Sequence, residues 1–323
     1  MQNNPVRRRL RRDYHAVRRV VTHVKNALTD PSPKLIVLTY HRILPDSGHN
    51  PLNTAVSERT FIRHVEGVAR KAGIISLSDA AEQCRTGRIK RALQAVISFD
   101  DGYSDNYGTA FPLLKRKGLP AVFSVSTGYI GAGRPLWDSD VIMRIIRGNI
   151  GRIDAGGFTA ARGMPESACS FAFRVFDELK SKDFTVIGKV LEFLVEKDPG
   201  YSNEEGHCMT WEQVKELSDA GMEIGSHAVT HRSLARIPFA EAEFEVNASK
   251  AEIEKRTGRR CAHFAFPFGS ARDYNAGLIE CVKKAGYGTC LLNIHGYNRM
   301  TDGVFALKRA IMEEDTDVRF ILG

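Results

Sequence analysis

The stretch Ala95-Val96-Ile97-Ser98-Phe99-Asp100-Asp101-Gly102-Tyr103 decides how this chain is read. Ala95 to Phe99 form a short apolar run with β-branched members, the pattern of a buried strand. The run stops at two adjacent carboxylates and a glycine. Residues 104 to 117 then place apolar side chains at helical spacing, up to a stop at Gly118. Strand, charged turn and helix in that order make one β/α unit. Working outward, the alternation recurs. Strands are expected at Leu35 to Thr39, Gly73 to Leu77, Ala121 to Val125, Met222 to Gly225, Ala262 to Phe266 and Gly288 to Leu292. Helices are expected over 57–71, 211–220, 239–256 and 274–285, with Ser57 and Thr210 as N-caps and Gly221 and Gly286 as stops.

Strands separated by helices pair in parallel. Seven or eight such units between residues 34 and 323 predict a distorted, TIM-like (β/α) barrel with about seven parallel strands. No G-x-G-x-x-G follows a strand, so nothing points to a dinucleotide-binding sheet. Residues 131 to 206 interrupt the alternation with helical patterns at 140–148 and 170–197, and they read as an inserted segment.

Composition excludes several classes. With 43% hydrophobic and 26% charged residues among 323, the chain is neither fibrous nor wholly disordered. No apolar run has the length of a membrane span, and the six cysteines form no C-x-x-C pair, as expected of reduced thiols. Residues 1–33 form a basic arm. Its first 30 residues carry a net +6 of the chain's +8, on a helix-spaced apolar stripe of Leu10, Tyr14, Val17, Val21, Val24 and Leu28. Such an arm can pack on the body or lie on an anionic membrane surface. The body is nearly neutral, so no nucleic-acid partner is expected. No secretory signal is apparent, and a cytoplasmic location, peripheral to the inner membrane face through the arm, is the expectation.

Three strand ends carry the chemistry. Asp100 and Asp101 repel each other, and a cation on one of them with base work for the other would account for the pair; a simple turn with an N-cap aspartate is the alternative. His227 and His231, in Ser226-His227-Ala228-Val229-Thr230-His231-Arg232-Ser233-Leu234, are four apart, so a helical turn would put both imidazoles on one face. Two neutral imidazoles and a carboxylate suit a zinc-like ion. Phe264-Ala265-Phe266-Pro267-Phe268-Gly269 ends another strand in a rigid turn able to present a backbone N–H.

Taken together these motifs resemble the polysaccharide deacetylases of carbohydrate esterase family four, over most of residues 34 to 310. That group includes chitin, peptidoglycan and nodulation-type chitooligosaccharide deacetylases. Its T-F-D-D-G motif stands here as Ser98-Phe99-Asp100-Asp101-Gly102, and its H-(S/T)-x-x-H-x-x-L motif as His227 to Leu234. The resemblance implies a metal-dependent hydrolase that removes N-acetyl groups from the N-acetylhexosamine units of a glycan or lipid-linked saccharide. It also implies that Asp101, His227 and His231 hold Zn2+ or Co2+, that Asp100 is the general base, and that the Phe268 N–H stabilises the oxyanion. Tyr40-His41-Arg42 and Trp211 look like the bacterial exopolysaccharide branch, and Tyr40, His41, Tyr103, Pro267 and Arg309 are expected at the substrate. Two departures stand out. The family's R-x-P-(Y/F)-G arginine is replaced by Ala265, leaving Arg309 or Arg42 to orient Asp100, and the late general-acid histidine has only His295 as its nearest counterpart. A barrel that binds carbohydrate without turnover, and an amidohydrolase of a small non-sugar amide, are the competing readings.

Overall fold

A computed structural model describes residues 32–45, 52, 54–202 and 206–322. Seven parallel strands close into a barrel: β1 (Lys34–Tyr40), β2 (Leu93–Phe99), β3 (Val122–Val125), β4 (Glu223–Ser226), β5 (His263–Ala265), β6 (Thr289–His295) and β7 (Leu307–Ile311). Each pairs with the next, and β7 returns to β1 to shut the ring. The β1–β2 register runs unbroken from Lys34 opposite Leu93 to Tyr40 opposite Phe99. The basic arm, with its expected membrane contact, lies outside the described residues apart from Ser32 and Pro33. Among the described residues no helix is long and apolar enough to cross a membrane, and all six cysteines are free thiols.

Alternation along the strands sorts their side chains into two cores, because successive residues point to opposite faces. Leu38, Ile97, Phe99, Phe123 and Phe264 face outward, where they pack with helix residues such as Phe61, Val65, Val214 and Val246. Leu35, Val37, Val96, Val122, Ala265, Leu291 and Leu307 fill the interior. The same parity carries Thr39 and Ser98 inside, where their hydroxyls bond at 2.8 Å. Just past these strand ends come His41 and Asp100.

Residues 137–197 build a second core above this barrel: helices α1 (Trp137–Arg147), α2 (Ala168–Leu179) and α3 (Phe184–Lys197), with a hairpin of Arg152–Ala155 and Phe158–Ala161. Trp137, Val141, Phe171, Val175, Ile187 and Leu194 meet there with Tyr103 and Tyr129 from the barrel loops.

Several expectations need correction. The segment 170–197 is two helices and not one, broken at Ser181–Asp183, and the first insertion helix begins at Trp137 instead of residue 140. Gly73–Leu77 yields only the two-residue strand Gly73–Ile74, which flanks β2 outside the ring. Leu77 already opens a helix capped by the Ser76 hydroxyl. The true seventh strand, Leu307-Lys308-Arg309-Ala310-Ile311, went unforeseen because its central residues are charged. The N-caps Ser57 and Thr210 occur as read; Thr210 closes a full capping box with Gln213.

Candidate active site

Every residue singled out at the strand ends lies at the C-terminal mouth of the barrel, where parallel barrels expose their loops. After β2, the Asp100 N–H donates to Tyr40 O at 3.0 Å, tying the turn to β1. Asp101 follows with a left-handed φ of 74°, a conformation that side chains adopt only when their surroundings enforce it. Its Oδ1 lies 3.3 Å from His227 Nε2 and 3.2 Å from His231 Nε2.

His227 directly follows β4, and its Nδ1–H donates to Ala265 O at 2.8 Å. A carbonyl can only accept, so Nδ1 carries a proton and Nε2 faces Asp101. His231 is not on a helical turn, contrary to the i, i+4 expectation. Residues 227–233 form a loop in which Ala228 and His231 have φ of 63° and 54°. Glu245, buried on helix α4 (Phe239–Thr257), accepts from the Val229 and Thr230 N–H groups at 2.7 and 2.9 Å and from the Thr230 hydroxyl. That carboxylate replaces the hydrogen bonds a helix would have made. From α1, the Trp137 indole donates to His231 O at 2.9 Å, and Asp138 Oδ1 lies 3.1 Å from His231 Nδ1.

Asp100 is wholly buried and points elsewhere. Arg309 Nη1 meets its Oδ2 at 2.5 Å, while Arg309 Nε donates to Leu292 O at 3.0 Å. Its other oxygen, Oδ1, has no hydrogen-bond partner among the described residues. Of the two arginines expected to orient Asp100, it is Arg309 that contacts it. Arg42, the other candidate, is committed to Asp105 at 2.9 Å and covers the Tyr103 ring.

Electrostatics at the mouth favour positive charge. Burial alone would neutralise Asp101, yet His231 and the hydrogen bonds from both histidines hold its carboxyl well below the usual range. Burial would likewise lower the His231 imidazole, but Asp138 and Asp101 push it up to about 10. The residues fit a divalent cation. Asp101, His227 and His231 each offer one atom, all within 4.8 Å of one another, and both Nδ1 atoms are occupied by acceptors, leaving Nε2 to bind.

The remaining expected residues divide. His41 sits at the mouth beside Asp100, by the register of β1 on β2. Phe268 takes a φ of 60°, packs its ring 4.7 Å from that of His231, and has no partner for its N–H among the described residues. His295 is exposed at the end of β6, in register with Arg309. Tyr40, expected at the substrate, is wholly buried against Phe61 and Phe99. Arg309 is 1% exposed and holds Asp100, and Tyr103 and Pro267 are buried as well. Sequence reading missed Asp138, Trp137 and Glu245. Only the acidic first turn of α1 hinted at the first of them.

A closed parallel barrel with an Asp-Asp turn and an H-x-x-x-H loop at its mouth is what the comparisons find similar to polysaccharide deacetylases. The Polysaccharide deacetylase family profile matches residues 163–290, a stretch that contains His227, His231 and Phe268. A relative from Bacillus subtilis (strain 168), named "Putative polysaccharide deacetylase YxkH", is 22% identical over 283 residues, 87% of this chain and 72% of its own length. Among solved structures, the Streptococcus pyogenes deacetylase PplD in complex with acetate aligns with a TM-score of 0.60 at 16% identity, over 90% of this chain and 97% of that one. IcaB from Ammonifex degensii aligns at 0.58 and 19% identity, over 90% and 95%. At these identities the structures speak to the fold. The resemblance drawn from the motifs is borne out as a similarity: residues 163–290 match the polysaccharide deacetylase profile, and the chain as a whole is similar to a relative of that name.

Proposed function

We propose that this chain is a metal-dependent N-deacetylase that releases acetate from N-acetylhexosamine units of a glycan or lipid-linked saccharide. The observation that carries the proposal is the convergence of Asp101, His227 and His231 beside an arginine-held Asp100 with one unpartnered oxygen. A Zn2+ or Co2+ ion held by Asp101, His227 and His231 would supply Lewis acidity to the N-acetyl carbonyl and to the attacking water. Arg309 occupies Asp100 Oδ2, so Oδ1 is left to take the proton from water. The Phe268 N–H donates to the oxyanion that develops on the carbonyl oxygen.

Collapse of the tetrahedral adduct requires a proton on the departing sugar nitrogen. His41 suits this role better than His295: it directly follows β1, next to the turn that carries Asp100, and it acts electrostatically on Asp101. Water thus supplies oxygen to acetate, and its protons end on the amine.

The test is acetate release from N-acetylglucosamine oligomers by protein stripped of metal and reloaded with zinc or cobalt, beside Asp100→Asn. We expect metal-dependent release by the wild type, and a variant that binds metal with turnover lowered by about 10²–10⁴. Retained turnover in Asp100→Asn overturns the base assignment. Metal uptake without acetate from any oligomer overturns the deacetylase reading in favour of binding or another amide.

A further inference from the structure

The two histidines at the mouth are oriented by different means. The barrel itself holds His227 through a neutral carbonyl, Ala265 O. His231 is held from outside the barrel: Asp138 meets its Nδ1 at 3.1 Å, Trp137 donates to its carbonyl, and the Phe268 ring packs on it at 4.7 Å. Both α1 contacts come from the first two residues of one helix, whose partial positive end favours an anionic side chain there.

We infer that Asp138 is a positioning residue through which the inserted segment completes the cation site. The inference rests on the metal reading proposed above. A carboxylate accepting from Nδ1–H fixes the same tautomer as a carbonyl does, and it also makes the far nitrogen a stronger donor. His231 needs this more than His227, because it sits in a loop with a left-handed backbone, a conformation disfavoured for residues that carry a Cβ, whereas His227 directly follows a strand. The 137–197 core thereby becomes a condition of the site's affinity as well as a cover over it.

The experiment is a zinc titration of the full chain against a chromophoric chelator, paired with the visible absorption of the cobalt-loaded protein. Asp138→Ala, Asp138→Asn, Asp138→Glu and, as a control in the exposed hairpin, Asp154→Asn are compared, with folding followed by circular dichroism. Asp138→Ala should weaken zinc binding by about 10–100-fold and alter the cobalt spectrum. Asp138→Asn should lose less, because an amide oxygen still accepts from Nδ1–H, and Asp138→Glu should recover part of the affinity. Asp154→Asn should match the wild type. Should the alanine variant unfold, the asparagine and glutamate variants decide. Zinc affinity within twofold of wild type and an unchanged cobalt spectrum in the folded Asp138 variants overturn the inference alone. Failure of the wild type itself to bind zinc overturns the metal reading and this inference with it.

Discussion

Two carboxylate–imidazole clusters sit at opposite ends of the same barrel, and they behave differently. At the base, where β4 and β5 begin, His263 Nε2 lies 3.4 Å from Glu223 and 3.2 Å from the Ser78 hydroxyl, and His263 Nδ1 lies 2.9 Å from Thr289 Oγ1. Glu223 also accepts the Leu77 and Ser78 N–H groups at 2.8 and 3.0 Å, which closes the start of a helix. Each polar group there is answered by another, and the cluster holds the structure together. At the mouth, two imidazoles instead aim their Nε2 atoms at one carboxylate oxygen, and Asp100 keeps an unanswered one. Four of the five non-glycine residues with positive φ among the described residues, Asp101, Ala228, His231 and Phe268, gather here. Residue types alone do not separate a structural cluster from a reactive one. Unsatisfied groups and backbone held in costly conformations do.

The comparison can be broken most directly by exchanging the outcomes. His227→Ala should lower zinc-dependent acetate release by roughly a thousandfold, whereas Glu223→Gln should leave zinc affinity unchanged. Equal losses from both would erase the distinction. Next in size, Arg309→Met strands a buried Asp100, and denaturant unfolding should show a loss of about 3–5 kcal/mol. Adding Asp100→Asn to that variant should recover much of the stability while activity stays absent, which separates the pair's structural and chemical roles. Glu223→Gln should cost about 1–3 kcal/mol at neutral pH. Its pH dependence has a definite sign. Burial pushes the Glu223 carboxyl up, but the hydrogen bond and charge of His263 and the bonds from Ser78 outweigh it and hold it below the ordinary 4.5. The carboxylate's contribution is therefore present above 4.5 and is lost as pH falls through the lowered folded value. Unfolding curves of wild type and Glu223→Gln should converge with increasing acidity in that range. The smallest effect expected is that of Glu245→Gln, which loosens the His231 loop without touching a ligand, with about a tenfold loss in zinc affinity.

What the sequence disclosed follows from how far each signal reaches. The barrel was legible because six of its seven strands are apolar runs, each close to a helix of the expected period. Asp100, Asp101, His227 and His231 were legible because their chemistry is written in short motifs. The seventh strand was hidden by Lys308 and by Arg309, which is apolar neither in composition nor in role, yet is the residue that holds Asp100. The helical turn expected for His227 and His231 failed because Glu245, sixteen residues beyond Val229, captures the loop's N–H groups. Asp138 reaches His231 across 93 residues of chain, and no local periodicity encodes such a meeting. The break at Ser181–Asp183 was missed because no glycine or proline marks it, only the polar run Lys180-Ser181-Lys182-Asp183.

The placement of Arg309 has a consequence for how the molecule is made. Since β7 lies between β6 and β1, a nascent chain that has not yet emerged past residue 306 has an open sheet, and its Asp100 has no guanidinium beside it. Closing the ring and placing a guanidinium beside Asp100 depend on the same strand, so a chain clipped before residue 307 would lose both together.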